Sequence, residues 1–219
     1  MKELHVPEIT GQSRVAAQNI PALLDEYQVK FQPVSCVNWK DYPYCPEVAF
    51  RIAHTGDFIL LNYRVKEESV RAIAAEDNGR VWEDSCCEFF FQLPEDQEEN
   101  VYYNFECNCG GILLIGGGQP GDRPHAPQDI LQQVDRWSSL GKAPFEERMG
   151  ECSWQLALCI PKEAFFRHQL KGFKGLTAYA NFYKCGDLQH TPHFLSWNPI
   201  DLPKPCFHCP EFFGKIIFE

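Results

Sequence analysis

Short apolar segments separated by turns rich in proline and glycine make up most of the chain. Aromatic and β-branched residues dominate these segments, often alternating with polar ones, which is typical of strands. Strands are predicted over residues 29–34, 48–54, 58–65, 86–93, 102–109, 111–115, 132–138, 154–160, 176–184 and 213–218. A helix is predicted over 19–28, with Asn19 as N-cap and Pro21 in its first turn. Residues 161–166 are predicted to form a helical turn, and 116–128 an exposed loop.

The composition favours an all-β fold. The 219 residues include 17 Phe, 8 Tyr and 5 Trp, with 16 Pro and 15 Gly spread between the apolar segments. All-β domains often reach roughly 200–250 residues, so this length fits one domain. We therefore expect a single antiparallel β-sandwich of jelly-roll type with one or two short helices. It would span residues 1–219, with 1–42 as an N-terminal extension packed on it.

The predicted strand over 102–109 separates two kinds of side chain. Successive residues of a strand point to opposite faces, so this strand has one apolar and one polar face. The apolar face carries Tyr103, Phe105, Cys107 and Cys109, and the polar face carries Tyr102, Asn104, Glu106 and Asn108. Rings that stack on sugar C–H groups, beside amides and carboxylates that bind hydroxyls, suit a neutral sugar. The other interpretation is the ordinary solvated face of a half-buried sheet.

Two carboxylates occupy unusual positions in aromatic strands. Glu88 lies within 81–91 and Glu106 within 102–108, and an unpaired buried carboxylate costs several kcal/mol, so each needs a partner, water or a ligand. An ion pair between Glu106 and Arg51 or Arg64 is the structural alternative. A glycoside hydrolase is the catalytic alternative, because its two carboxyl groups stand roughly 5 Å or roughly 6.5–9.5 Å apart.

The net charge limits the partners. Thirty acidic and twenty basic residues give a formal charge of −10, which repels phosphate backbones and anionic membrane surfaces. No segment approaches the ~20 apolar residues of a membrane span. Nucleic acid and membranes are therefore not expected as partners, whereas a neutral glycan is compatible with this charge.

The cysteines indicate a reducing compartment. Eleven is an odd number, and many of them lie at strand positions where a free thiol serves as a small apolar residue. With no apolar run of signal-peptide length near Met1, a cytoplasmic location is expected. A zinc set of Cys206, His208 and Cys209 with His190 and His193 is a weak alternative, because it contains one C-x-x-C only.

Four blocks of the chain resemble the family 9 carbohydrate-binding modules and the family 9-like proteins of glycan-degrading bacteria. They are residues 81–91, 102–114, 181–187, and 193–197 with 207–214. The resemblance implies a β-sandwich that holds a glucose-like or xylose-like sugar between two tryptophans, with structural calcium in some members. Trp82, followed six residues later by Glu88, matches one ring and its polar partner, and Trp197 matches the second ring.

The resemblance also implies further site residues and a role. Asn181, Lys184 and Asp187 belong to the third block and are expected to line the same site. The expected function is carbohydrate binding without catalysis, linked to polysaccharide breakdown and to a glycoside hydrolase partner. A haem-binding sandwich is a further alternative, although Met1 and Met149 are the only methionines available as axial ligands. Trp154 is expected in the core.

Overall fold

Two β-sheets make up the protein in the computed structural model, which describes residues 1–219. In chain order the elements are β1 Glu3–Val6, α1 Ile20–Glu26, β2 Gln32–Pro33, β3 Cys36–Val37, β4 Glu47–His54, β5 Phe58–Ala72, β6 Cys86–Gln92, β7 Tyr102–Asn108, β8 Leu113–Gly118, α2 Gln128–Leu131, β9 Asp135–Ser138, β10 Phe145–Pro161, β11 Thr177–Cys185, β12 Phe194–Ser196 and β13 Gly214–Phe218. No helix has the length and apolar character needed to cross a membrane.

The sheets are almost wholly antiparallel. The larger has eight strands in the order β1-β13-β11-β6-β7-β8, with β12 and β3 extending from β11. The smaller has the order β2-β4-β5-β10-β9. The pairing of β1 with β13 is parallel. The expected antiparallel β-sandwich with two short helices is confirmed.

The main core fills the space between the two sheets. Phe50 and Tyr63 point inward from the five-stranded sheet, and Phe89 and Phe182 point inward from the eight-stranded sheet. The rings of Phe50 and Phe182 stack with centroids 3.6 Å apart. Trp154 is also buried here, as the sequence predicted. This packing fixes which face of each strand points outward.

The N-terminal segment contributes to both sheets. Residues 1–42 supply β1, β2 and β3, and α1 covers the outer face of the five-stranded sheet. The helix buries Ile20 and Leu24 against Ala53 and Leu60. The predicted helix over 19–28 is therefore present, because its apolar spacing gives it one face that packs on a sheet.

The outer face of the eight-stranded sheet carries a second apolar cluster. Phe90, Tyr102 and Tyr183 project from the sheet, and Phe207 and Phe213 return from the segment that follows β12. The ring of Phe207 stacks on Tyr183 with centroids 4.1 Å apart. This segment covers part of the face and leaves an open cavity beside it.

Several strands differ in length from the sequence prediction. The expected loop over 116–128 is wrong at its start, because β8 continues to Gly118 and pairs with Tyr102. Glycines allow this pairing, since a Cβ at Gly116 would lie 2.6 Å from Asn104 Oδ1. Strands β5 and β10 are also longer than predicted, because their hydrogen-bonded ladder continues through residues whose apolar pattern has ended.

Candidate functional site

A cavity of about 460 Å³ opens on the outer face of the eight-stranded sheet. Its polar lining includes Glu88, Asn104, Glu106, Arg123, Asp187 and His208, and its apolar walls include Trp82, Leu114, Phe194 and Phe207. Four of the predicted site residues are therefore brought together here: Trp82, Glu88, Asn104 and Glu106. Asp187, from the third resembling block, joins them.

The floor of the cavity follows from strand alternation. Glu88 on β6 is the direct register partner of Glu106 on β7, and Asn104 is the partner of Gly116 on β8. Tyr103 and Phe105, one position out of phase, lie in the core between the sheets. The predicted division of residues 102–109 into an apolar and a polar face is confirmed.

Arg123 organises one side of the cavity, and the sequence did not single it out. It follows β8, and its Nη2 donates to Oδ1 of Asn104 while its Nη1 donates to the carbonyl oxygens of Tyr102 and Gly118. Asn104 Nδ2 in turn donates to Glu106 Oε1 at 2.8 Å. Because Arg123 holds the amide oxygen, the amide nitrogen is left to face the carboxyl group. A lone arginine within a glycine- and proline-rich segment was the available signal.

The acidic groups share a poorly solvated environment. Burial raises the pKa of Glu88 well above its usual range, and the Cys185 thiol and Glu106 raise it further. Burial raises the pKa of Glu106 to about 7, against the lowering effects of the hydrogen bond from Asn104 and of the Arg123 charge. Burial likewise raises the pKa of Asp187 to about 6.

The turn that carries Trp82 is fixed by a backbone hydrogen bond and is followed by a buried carboxylate. Trp82 lies in the 3-10 turn Val81–Glu83, and its backbone carbonyl accepts from the Asp187 N–H at 3.1 Å. Asp84 follows the turn and accepts hydrogen bonds from two backbone N–H groups, from Asn108 Nδ2 and from Arg71 Nε. Trp82 remains half-buried, with its ring at the cavity.

Trp197 does not take part in the cavity. It is 2% exposed and lies in the core between the sheets, where its ring packs edge-on against Phe50 and Phe182. The predicted pairing of Trp82 with Trp197 across a cleft is therefore wrong in this structure. Side chains along β12 and at the residue that follows it, Trp197, point alternately to the two faces of the sheet. This alternation turns the Trp197 ring inward. Phe194 and Phe207 line the cavity instead.

Lys184 also points away from the cavity. Its Nζ lies 2.8 Å from Glu67 Oε2 and donates to His193 Nε2 at 2.7 Å, in a buried network between the sheets. Trp154 Nε1 completes the network by donating to Glu67 Oε1 at 2.7 Å. Lys184 pairs in register with Cys87, which faces the core, so the expected ligand contact is not formed.

Asn181 and Tyr102 support the outer face without lining the cavity. The Asn181 side chain is fully buried and donates to the Asn198 carbonyl at 3.1 Å. Tyr102 is 1% exposed, and the Arg123 guanidinium covers its ring at 3.6 Å from the centroid. Its hydroxyl group is hydrogen-bonded, at 2.9 Å, to Nδ1 of His208, which lines the cavity. Both therefore stand behind the residues that face the cavity.

The structural alternative for Glu106 is wrong. Arg51 and Arg64 both reach Asp25, with nitrogen-to-oxygen distances of 2.5 Å and 3.6 Å. They belong to the five-stranded sheet, whereas Glu106 opens on the far face of the other sheet. The basic group near Glu106 is Arg123, which acts through Asn104.

The zinc site considered as an alternative from the sequence is not formed in the structure. His193 is enclosed beside Lys184, while Cys206 and His208 lie at the cavity. Ligand atoms from three histidine, cysteine or acidic side chains converge at one place in the chain, formed by Cys86, Glu88 and Cys185. Thiols are not the all-oxygen set that calcium prefers, so this group does not fit that ion.

A second cavity, of about 720 Å³, lies on the five-stranded sheet. Its polar side chains include one carboxylate, Glu47, together with Arg64, Lys66, Gln155 and three serines, and none of the predicted site residues lines it. The concentration of carboxyl and amide groups therefore distinguishes the smaller cavity.

Comparisons with known proteins agree with this architecture. A candidate carbohydrate-binding protein from Bacteroides uniformis ATCC 8492 is 56% identical, with a TM-score of 0.96, and the match covers 100% of this chain and 99% of that one. A family 9 carbohydrate-binding module from Caldicellulosiruptor kristjanssonii, in complex with glucose, has a TM-score of 0.61 at 10% identity, with 100% and 96% covered. The module from that organism in complex with cellotriose has a TM-score of 0.62 at 11% identity, with 100% and 94% covered.

No curated protein matches the chain. The model of carbohydrate-binding family 9 matches residues 18–218, which include every strand except β1 and every residue of the cavity. The chain belongs to carbohydrate-binding family 9.

Proposed function

We propose that the protein binds a neutral, glucose-like sugar in the cavity on the eight-stranded sheet and does not cleave it. The carrying observation is the combination of one half-buried ring, Trp82, with a floor of Glu88, Asn104 and Glu106. A ring presents a flat apolar face to sugar C–H groups, and the floor offers hydrogen-bond acceptors and donors to the hydroxyls.

The size and charge of the cavity support a small neutral ligand. A volume of about 460 Å³ lies within the range of roughly 300–1,000 Å³ typical of small-molecule sites. The cavity has no free lysine or arginine to receive an anion, because its one such residue, Arg123, is engaged with Asn104. Glucose and cellotriose, the ligands of the two Caldicellulosiruptor modules, are therefore the first sugars to test.

A glycoside hydrolase, the alternative function, requires two carboxyl groups in different protonation states. Retaining and inverting glycosidases need one protonated acid and one ionised partner. Glu88 and Glu106 are direct cross-strand neighbours, but burial raises the pKa of both. The Glu88 side chain is hydrogen-bonded to the Cys185 thiol and that of Glu106 to the Asn104 amide, so neither has a direct cationic partner that would hold it ionised as a nucleophile or base. This favours binding without turnover.

Calorimetry with glucose, xylose and cellotriose, run beside an assay for release of reducing ends, tests the proposal. We expect saturable heat with at least one sugar and no turnover. Glu106→Gln should weaken binding by about 1–3 kcal/mol, roughly 5- to 150-fold in Kd, because an amide replaces one of the two carboxyl oxygens that can accept from sugar hydroxyls. Tyr27→Ala, an exposed ring beside α1, is the matched control and should bind normally.

Two outcomes would contradict the proposal. Turnover that disappears in Glu88→Gln or Glu106→Gln would establish the hydrolase, and a Soret band in the purified protein would establish a haem domain. Structural calcium and a glycoside hydrolase partner stay predictions, to be tested by metal analysis and by co-purification.

A further inference from the structure

Cys86, Glu88 and Cys185 meet at one wall of the cavity. Cys86 on β6 and Cys185 on β11 are direct register partners, and Glu88 is two residues along the same face of β6. Their ligand atoms all lie within 4.8 Å of one another, and Cys185 Sγ is 3.1 Å from Glu88 Oε1. The three residues are 0%, 3% and 1% exposed, in chain order.

We propose that these three side chains bind a soft divalent cation of the zinc class. Two sulfur ligands and one carboxylate oxygen select zinc over calcium or magnesium, which prefer all-oxygen sets. Zinc bonds are about 2.3 Å to sulfur and about 2.0–2.2 Å to carboxylate oxygen, so ligand atoms in a tetrahedral site are roughly 3.5–3.8 Å apart. The present separations, from 3.1 Å to at most 4.8 Å, bracket those distances.

Among the buried carboxyl groups, Glu88 has the weakest hydrogen-bond partner. Asp84 receives N–H groups and the Arg71 guanidinium, and Glu67 receives Lys184 and the Trp154 indole. The side chain of Glu88 is hydrogen-bonded only to the thiol of Cys185, a weak donor. Buried carboxyl groups nearly always have stronger partners, and a coordinated cation would supply one.

Three protein ligands leave one coordination position unfilled. Glu88 and Cys185 line the cavity, so that position would face the space where a ligand enters. Water or a hydroxyl group is the chemistry that fits it. Binding displaces protons from the two thiols and the carboxyl group to solvent, and no electron is transferred. The inference goes beyond sugar binding, which does not require a metal.

A cobalt titration tests the site. Reduced, chelator-treated protein is titrated with Co²⁺, and absorbance from sulfur-to-cobalt charge transfer is followed, with Zn²⁺ added afterwards to displace the cobalt. We expect saturation at one ion per chain. Cys86→Ser and Cys185→Ser should each lose most of the band and weaken binding more than the ~10–100-fold expected for an outer-shell partner. Glu88→Gln should keep the band and weaken binding.

Two other cysteines beside the cavity provide matched controls. Cys206→Ser and Cys209→Ser remove thiols near the same cavity that lie outside the proposed set, and should leave the titration unchanged. Absence of a saturable band, or its loss in these two variants, would overturn the proposal. If the Cys86 and Cys185 variants fail to fold, Glu88→Gln decides: unchanged cobalt affinity would also overturn it.

Calorimetry with glucose on the same chelator-treated samples separates the two proposals. Heat from sugar binding without a cobalt absorbance band would reject the metal site and support the sugar site. A cobalt band without heat for any tested sugar rejects the sugar site and supports the metal site. Circular dichroism of every variant verifies that a lost signal does not come from unfolding.

Discussion

Glu88 and Glu106 face each other in register on neighbouring strands, and both open into the same cavity. Neither has a cation as a direct partner, so burial dominates and raises the pKa of both groups. Asp187 lies at the same cavity and is shifted in the same direction. The site therefore contains acidic groups that are costly to ionise in the folded state. Their contribution to the stability of the protein should depend measurably on pH.

The contribution of Glu106 to stability should fall as pH rises through the range in which this group ionises. Its folded pKa of about 7 lies above the ordinary value of 4.5, so between these values the folded protein retains a proton that the unfolded chain has lost. Stability is then highest below about pH 4.5 for this group and decreases up to about pH 7, by on the order of 3 kcal/mol. Urea unfolding from pH 4.5 to 8, with chelator present, measures the slope.

The matched variants are Glu106→Gln and Glu163→Gln. The first removes the group and should flatten the slope, and the second changes an exposed carboxyl group and should preserve it. An unchanged slope in Glu106→Gln would contradict the burial argument.

Trp82 and Trp197 should respond to alanine in opposite ways. Trp82→Ala removes a half-buried ring at the cavity, so sugar affinity should fall by about 1–3 kcal/mol with little change in stability. Trp197→Ala leaves a void between the sheets and should lower the free energy of unfolding by about 3–5 kcal/mol. Calorimetry and urea unfolding of both variants check this; loss of affinity in a well-folded Trp197→Ala would restore the two-tryptophan site.

Lys184→Met should be strongly destabilising. It leaves the Glu67 carboxylate buried without its cation, and breaking such a pair costs about 3–5 kcal/mol. The double variant Lys184→Met with Glu67→Gln should recover part of this loss, because the uncompensated charge is gone. Lys162→Met, which breaks the exposed pair with Asp57, should cost about 1 kcal/mol or less. Equal losses in the two lysine variants would contradict the prediction.

The thiols should react in two groups. All eleven cysteines are free in the structure, and Cys45 and Cys206 are exposed. A thiol reagent added to the native protein should modify these two first, whereas denatured, non-reduced protein should yield close to eleven thiols. A denatured count near one would indicate disulfides. The cytoplasmic location expected from these cysteines stays a prediction.

The sequence by itself determined the sandwich and the floor of the site. Alternation along Tyr102–Asn108 separates core from cavity residues, because the two faces of a strand are chemically distinct and the register cannot slip without turning the polar face into the apolar core. Trp82 and Glu88 were found through their spacing in the resembling block, and both line the cavity.

Only the tertiary structure decided which residues form the walls of the cavity. Arg123 and Phe207 come from irregular segments, where no periodicity indicates which way a side chain points, and each is positioned by contacts with Asn104 or Tyr183. Trp197 and Lys184 lie in the resembling blocks but turn toward the core, since the pairing of β11 with β6 and β12 sets their faces. Local sequence specifies the alternation of a strand, whereas the packing of its neighbours decides which face a given residue near its end occupies.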